Sequence, residues 1–252
     1  MKTLQILGVD FSLEGPRLPE RLAGAGLVVV PSGPGLACDL PRNAAYRRAL
    51  LEADWVLPDS GLMVLVWNLL HAATPRKKLE RYSGLRLLRE VLPRPEVQAP
   101  GASFWIMPSV GEQERNLTWL RANGFSGLDE KSCHLAPLYE PDAEGRIEDP
   151  ELLRVLEERK PMVIFVNVGG GVQEQLGWYL RRNLSFKPAI LCTGAAIAFL
   201  TGGQADIPPW ADRLYLGWLL RVLENPARFG RRYLASVGLV EMLVRYRDRL
   251  PG

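Results

Sequence analysis

Ala53-Asp54-Trp55-Val56-Leu57-Pro58-Asp59-Ser60-Gly61-Leu62-Met63-Val64 reads as a short buried strand that stops at a proline and passes at once into an apolar helix. It sets one carboxylate, Asp59, where the strand ends and the helix begins. In open α/β folds ligands sit in the crevice outside the carboxyl ends of the strands, where the N–H groups of the following helices also point. Asp59 is therefore the first candidate for chemistry. Its plainer reading is the N-cap of the helix that starts near Gly61.

Working outward, the same alternation repeats along the chain. Apolar runs ended by Pro, Gly or a polar residue predict strands at Leu4–Val9, Leu27–Val30, Trp55–Leu57, Ser103–Ile106, Met162–Val166 and Ala189–Cys192. Helical patterns lie between them at Pro41–Ala53, Gly61–Ala72, Leu85–Leu92, Gly111–Asn123, Pro150–Glu158 and Gln173–Asn183. Asp149-Pro150 is a helix start, with the acid as N-cap and Pro in the first turn. Asn43 reads as polarity on a helix face. Strands alternating with helices predict an α/β fold with a largely parallel sheet covered on both faces. Two proline-rich points interrupt the pattern, Pro93–Pro100 and Pro208-Pro209. The second divides an α/β domain, 1–208, from a helical, arginine-rich appendage, 209–252.

At 252 residues, with 47% hydrophobic and 23% charged side chains, the chain is long enough for a full core. Its N-terminal apolar run is too short before Asp10 for a signal peptide, so a cytoplasmic location is expected. Cys38, Cys133 and Cys192 are widely separated and form no CxxC pair, which argues against a disulfide framework and a zinc site. The uncharged stretch Pro188 to Ala205 is broken by Pro188, Gly194, Gly202 and Gly203, and no integral membrane span is predicted. The net charge of +3 is unevenly spread. Eight arginines against four acids between Asp212 and Arg249 give that segment +4, and the remainder sums to −1.

Val166-Asn167-Val168-Gly169-Gly170-Gly171-Val172-Gln173-Glu174 is the second candidate. Three glycines at a strand end let the backbone approach a ligand closely, and the next helix N-terminus favours an anion. Gln173 is placed to hydrogen-bond a base or sugar. The segment lacks the lysine of a P-loop and the GxGxxG spacing of a dinucleotide fold. Its alternative reading is a tight turn in which Glu174 serves the helix dipole.

The ordered set Asn43, Ala53-Asp54, Pro58-Asp59-Ser60-Gly61, Glu80-Arg81-Tyr82-Ser83-Gly84, Gly169 to Glu174, Pro208-Pro209-Trp210, Leu216 to Arg221 and Asn225 to Tyr233 resembles the WecG/TagA/CpsF family of bacterial glycosyltransferases over roughly residues 26 to 235. The resemblance implies a Rossmann-like α/β domain with a C-terminal appendage and no metal ion. It implies transfer of an N-acetylhexosamine from a UDP-sugar to a polyprenyl-pyrophosphate-linked sugar at the cytoplasmic membrane face, in cell-surface polysaccharide assembly. The family's proposed base falls on Asp59, its Glu-Arg on Glu80-Arg81, and its Pro-Lys-Gln-Glu turn on Gly171-Val172-Gln173-Glu174. Its Thr-x-Asn falls on Pro31-Ser32-Gly33, so a hydroxyl role passes to Ser32. Its Arg-Ala-Pro falls on Asp206-Ile207-Pro208, its Glu-Trp on Gly217-Trp218, and an aspartate of its pattern on Ala198.

Such a transfer needs a base for the acceptor hydroxyl, and N–H dipoles or cations for the departing diphosphate. With two histidines, His71 and His134, and no clustered carboxylates in the sequence, neither a metal nor another cofactor is expected. The diphosphate then falls to the Gly169, Gly170 and Gly171 loop and to Arg81, Arg221, Arg228, Arg231 and Arg232, whose guanidinium forks match phosphate. Phe229, Tyr233, Val237, Val240 and Leu243 fall at helical spacing among arginines, predicting an amphipathic basic helix for an anionic membrane surface or for the protein's own core. The alternative function is a non-catalytic relative that binds a nucleotide-sugar or glycolipid. Nucleic acid is not an expected partner, because the charge outside the tail is near neutral.

Overall fold

The computed structural model describes residues 2–13, 20, 22, 24–74, 78–142, 145–204 and 236–251. Among these the apolar runs form one eight-stranded sheet. Its strands are β1 (Thr3–Ile6), β2 (Val9–Ser12), β3 (Leu27–Val29), β4 (Trp55–Val56), β5 (Ser103–Met107), β6 (Cys133–Leu135), β7 (Val163–Val166) and β8 (Ala189–Cys192). Their order across the sheet is β1-β2-β4-β3-β8-β7-β5-β6. Every neighbouring pair is parallel except β1 with β2.

That exception corrects the single strand expected over Leu4–Val9. The chain reverses at Leu7-Gly8, both with positive φ (51° and 74°), the backbone of a two-residue hairpin turn. Leucine is a poor choice for that conformation and gives no turn signal in the sequence. Tertiary contacts hold it instead. Leu7 is fully buried, and the Leu7 and Gly8 N–H groups donate to Arg247 O (2.7 Å) and Asp248 O (2.9 Å) from the far end of the chain. β6 is a further difference, a short edge strand whose Cys-His-Leu sequence lacks an apolar alternation.

Among the described residues the helices are α1 (Leu40–Arg42), α2 (Ala44–Leu51), α3 (Gly61–Leu70), α4 (Gly84–Val91), α5 (Pro95–Gln98), α6 (Val110–Ala122), α7 (Pro150–Arg159), α8 (Val172–Asn183) and α9 (Val237–Tyr246). The helix expected from Pro41 to Ala53 is split. Asn43 is extended, and its side chain accepts the Tyr46 N–H at 2.9 Å, so it is the N-cap of α2 and not a polar spot on a helix face. Before it runs a π-helical turn, Gly35–Asp39. Asp149 caps α7 as expected, accepting the Leu152 N–H at 2.8 Å.

Alternate residues of the central strands β3, β4, β5, β7 and β8 feed two apolar layers. On one face Val29, Ile106, Ile164 and Ile190 pack with Leu50 of α2, Trp67 of α3, Leu156 of α7 and Leu180 of α8. On the other, Val28, Trp105, Phe165 and Leu191 pack with Leu88 of α4 and Leu120 of α6, and Trp105 stacks on Phe165 at 4.0 Å between centroids. Helix α9 lies against α3 and the π-helical turn. Its inward residues are Leu239 and Leu243, both fully buried, whereas Val237 is 63% exposed. The apolar stripe of this helix is thus rotated from the Val237, Val240 and Leu243 line expected from spacing, because Leu239 faces the core. Phe229 and Tyr233 lie outside the described residues.

Candidate active site

Four loops leave the carboxyl ends of adjacent parallel strands: Val30–Gly33 after β3, Leu57–Ser60 after β4, Asn167–Gly171 after β7, and Thr193-Gly194 after β8. After β3 the chain enters the first apolar layer through Leu36 and Leu40, and after the neighbouring β8 it enters the second through Ala196 and Ile197. Chains leaving adjacent strands to opposite faces open a crevice at the strand ends. The helices α3, α4 and α8 begin beside these loops, so their unsatisfied N–H groups and positive dipole ends are gathered there.

Asp59 stands in this crevice, held at both its backbone and its side chain. Its N–H donates to Leu57 O at 2.9 Å, and Pro58 O accepts the Tyr82 N–H at 3.1 Å. Asp59 Oδ1 accepts the N–H of Gly84, the first residue of α4, at 3.2 Å, and Arg81 Nε donates to Asp59 O at 2.7 Å. Arg81 Nη2 lies 3.5 Å from Oδ1, with the Asp59 side chain 27% exposed. The N-cap of α3 is Ser60, whose Oγ accepts the Met63 N–H. The capping alternative for Asp59 therefore fails at α3, and its carboxylate faces the N-terminus of α4 instead.

A side chain at position 84 would strike this assembly. A Cβ there would sit 3.2 Å from Val30 Cγ2 and 3.4 Å from Thr193 O, so glycine lets α4 start against the ends of β3 and β8. Ser32 is half-buried on the same rim. Its Oγ accepts the Gly35 N–H at 3.3 Å, anchoring the π-helical turn. A Cβ on the adjacent Gly33 would lie 3.0 Å from Ser60 Oγ and 3.7 Å from Ser236 Oγ at the start of α9. The close approach joins the β3 loop to the Asp59 loop.

On the other side of β8 the glycine turn is closed from beneath. Glu174 Oε2 accepts the Gly171 N–H at 2.8 Å, Gln173 Nε2 donates to Glu174 Oε1 at 3.0 Å, and Gln175 Nε2 donates to Gly171 O at 3.0 Å. Gly171 has φ +92°, and a Cβ on it would come 3.2 Å from Asp39 Oδ2 of the π-helical turn. Glu174 is fully buried. Burial, with the Asp39 charge adding to it, raises its carboxyl to about 7 against the pull of the donated hydrogen bonds. Gln173 is buried as well, with its Oε1 toward Gly194. Both side chains shape the loop rather than line its open side, which suits the alternative reading of this segment. Gly169 and Gly170 remain as the outward backbone of the turn. Among the described residues, Asn167 Oδ1, Gln173 Oε1 and Thr193 Oγ1 are buried oxygens at these strand ends with no hydrogen-bond partner.

The fold thus brings Ser32, Asp59, Arg81 and the glycine turn to one edge of the sheet. Arg221, Arg228, Arg231 and Arg232 lie outside the described residues. The model of the Glycosyl transferase WecG/TagA/CpsF family matches residues 5–251. The chain belongs to this family. It is 23% identical over 216 residues to the N-acetylglucosaminyldiphosphoundecaprenol N-acetyl-beta-D-mannosaminyltransferase of Bacillus spizizenii (strain W23), covering 82% of this chain and 74% of that one. The protein is accordingly a glycosyltransferase of mixed α/β architecture.

For this glycosyltransferase, sequence reasoning missed several residues that build the site. Ser60 and Ser83 cap α3 and α4, and a serine just before an apolar run was the signal for both. Asp39 and Thr193 carried no such signal, because their place beside Gly171 and Gly84 follows only from tertiary packing. His134 pairs with Asp149 at 3.1 Å, tying β6 to the cap of α7.

Proposed function

We propose that this glycosyltransferase moves an N-acetylhexosamine from a UDP-sugar to a polyprenyl-pyrophosphate-linked sugar, with inversion and without a metal ion, at the cytoplasmic face of the membrane during cell-surface polysaccharide assembly. The observation that carries this reading is Asp59, a partly exposed carboxylate fixed at a strand end beside the N-termini of α3 and α4. The acceptor hydroxyl gives its proton to Asp59 as its oxygen bonds the anomeric carbon. The carbon–oxygen bond to the diphosphate breaks on the opposite face, and its electron pair leaves with UDP. One displacement inverts the anomeric centre.

The leaving diphosphate carries the charge that must be stabilised, and fixed N–H dipoles do this without reorganising. The backbone of Gly169 and Gly170 supplies such donors, with Gln173 and Glu174 holding the turn's shape from below and Ser32 offering a hydroxyl on the opposite rim. Arg221, Arg228, Arg231 and Arg232 complete the proposal as cations from the appendage. The relative's named substrate, a diphosphoundecaprenol-linked sugar, supports a lipid-borne acceptor.

A membrane-facing surface fits that acceptor. No helix among the described residues is long and apolar enough to cross a bilayer, yet α3, which begins beside Asp59, exposes Leu65, Leu69 (75% exposed) and Leu70. The adjoining α9 exposes Val237 and Val244 and ends near Arg245, Arg247 and Arg249, all exposed. Apolar side chains rimmed by cations suit an anionic bilayer, where each cation adds about 1 kcal/mol. The test is a set of UDP-N-acetylhexosamines offered with a polyprenyl-pyrophosphoryl-sugar acceptor, reading UDP release and the anomeric configuration of the product. A retained configuration would overturn the single-displacement mechanism.

A further inference from the structure

Arg81 was expected on the diphosphate, yet two contacts of its guanidinium are with Asp59. It sits on the segment 78–83 between α3 and α4, and that segment is fastened on both sides of it. Asn68, on α3, accepts the Leu79 N–H at 2.8 Å and donates to Leu79 O at 2.8 Å, so one amide side chain satisfies both backbone groups of one residue, as a neighbouring strand would. Beyond Arg81, the Tyr82 N–H is held by Pro58 O. Leu79 and Tyr82 are both buried. The arginine between them has little freedom of position.

From there the guanidinium reaches two oxygens of one residue: Nε donates to Asp59 O at 2.7 Å, and Nη2 lies 3.5 Å from Asp59 Oδ1. A contact to the backbone oxygen together with one to the carboxylate restricts rotation about the Asp59 Cα–Cβ bond. The Gly84 N–H at 3.2 Å holds the same Oδ1 from another direction. The planar guanidinium meets the two acceptors from two nitrogens in a fixed geometry, which lysine's flexible, point-like ammonium does not reproduce. We propose that Arg81 is a positioning residue for Asp59, with Asn68 fixing the segment that carries it, and that Arg81 is not a ligand of the leaving diphosphate. This rests on Asp59 acting as the base.

The test compares Arg81→Lys, Arg81→Gln and Asn68→Ala in the full chain, alone and combined with Asp59→Asn. A base misplaced by the order of an ångström loses about 10² in rate. Both Arg81 substitutions should therefore lower kcat by roughly that factor, with lysine giving no rescue. The dissociation constant for UDP should stay within about twofold, since no phosphate contact is removed. Asn68→Ala should show the same pattern more weakly, which keeps the idea testable if the Arg81 variants fold poorly. In the Asp59→Asn background the Arg81 substitutions should cost no further rate, because the group they position is already gone. Weaker UDP binding with recovery in Arg81→Lys, or full loss persisting in the double variant, would return Arg81 to the diphosphate and overturn the proposal. Unchanged kcat in Asn68→Ala would remove Asn68 from it. An active Asp59→Asn single variant would instead refute Asp59 as base, a distinct failure.

Discussion

Replacing Asp59 with Asn separates its chemistry from its packing, because the two depend on different atoms. The asparagine Oδ1 can still accept the Gly84 N–H at 3.2 Å, and the Arg81 Nε bond to the backbone oxygen at 2.7 Å does not involve the side chain. What the fold loses is the charge facing Arg81 Nη2 at 3.5 Å, in a pair with side chains 15% and 27% exposed. Partly solvated pairs of this kind contribute up to about 1 kcal/mol. Removing a positioned base costs roughly 10² to 10⁴ in turnover, about 2.7 to 5.5 kcal/mol of barrier. Asp59→Asn should therefore unfold within a few degrees of the parent and bind UDP normally, yet turn over at least about a hundredfold more slowly. Asp59→Ala is the internal control. It leaves the Gly84 N–H without its partner, adding about 1–3 kcal/mol of destabilisation to the same loss of rate. The assay is the initial rate of UDP release with donor and lipid-linked acceptor, beside thermal unfolding and UDP titration. Turnover within a few-fold of the parent in Asp59→Asn would show that the carboxylate is structural and that the proton leaves by another route.

Four other expectations follow from the same geometry. Glu174 has its carboxyl raised to about 7 in the folded chain, so between its unfolded value and 7 the native state binds the extra proton, and stability should fall as pH rises through that window. Glu174→Gln should flatten that decline in melting temperature between pH 5 and 8, since Gln173, with Oε1 unpartnered, can flip to accept from the new amide; an unchanged slope would refute the assignment. Gly171→Ala forces a Cβ into φ +92° and to 3.2 Å from Asp39 Oδ2, which should destabilise the turn by about 1–3 kcal/mol and weaken UDP binding measured by calorimetry. Replacing Arg245, Arg247 and Arg249 together with Gln should weaken co-sedimentation with anionic vesicles, most visibly at low salt, while hydrolysis of the donor changes little. Incubation with EDTA should leave sugar transfer unchanged, and a reproducible requirement for added Mg²⁺ or Mn²⁺ would contradict the metal-independent mechanism.

How much of this was legible in the chain depended on where the information is stored. The central strands and most of the helices are written locally, in apolar runs closed by Pro, Gly or Ser, and β3, β4, β5, β7 and β8 fall where that pattern puts them. The N-terminal hairpin is not written locally. Its Leu7-Gly8 turn is held by backbone oxygens of Arg247 and Asp248, some 240 residues away in sequence, and no window on the N-terminus contains that. For α9 the spacing allows more than one apolar stripe, and the packing on α3 selects the one that carries Leu239 and Leu243.

The site shows a similar division. Asp59 and the three glycines could be picked out because the local pattern alone puts them at a strand end, where a following helix begins. Their working environment could not, since it is made of partners that only the sheet order brings together. β8, the last strand in sequence among the described residues, inserts between β3 and β7, and this places Thr193 O against the start of α4 and Gly194 against Gln173. Glycine suits 171 and 194 through their positive φ (+92° and +56°), and at 84 through a tight approach that only the sheet order creates, with a Cβ 3.2 Å from Val30 Cγ2 and 3.4 Å from Thr193 O. The strand order therefore frames the crevice: β8 runs between the two candidate loops, with the Asp59 loop on one side of that strand and the glycine turn on the other.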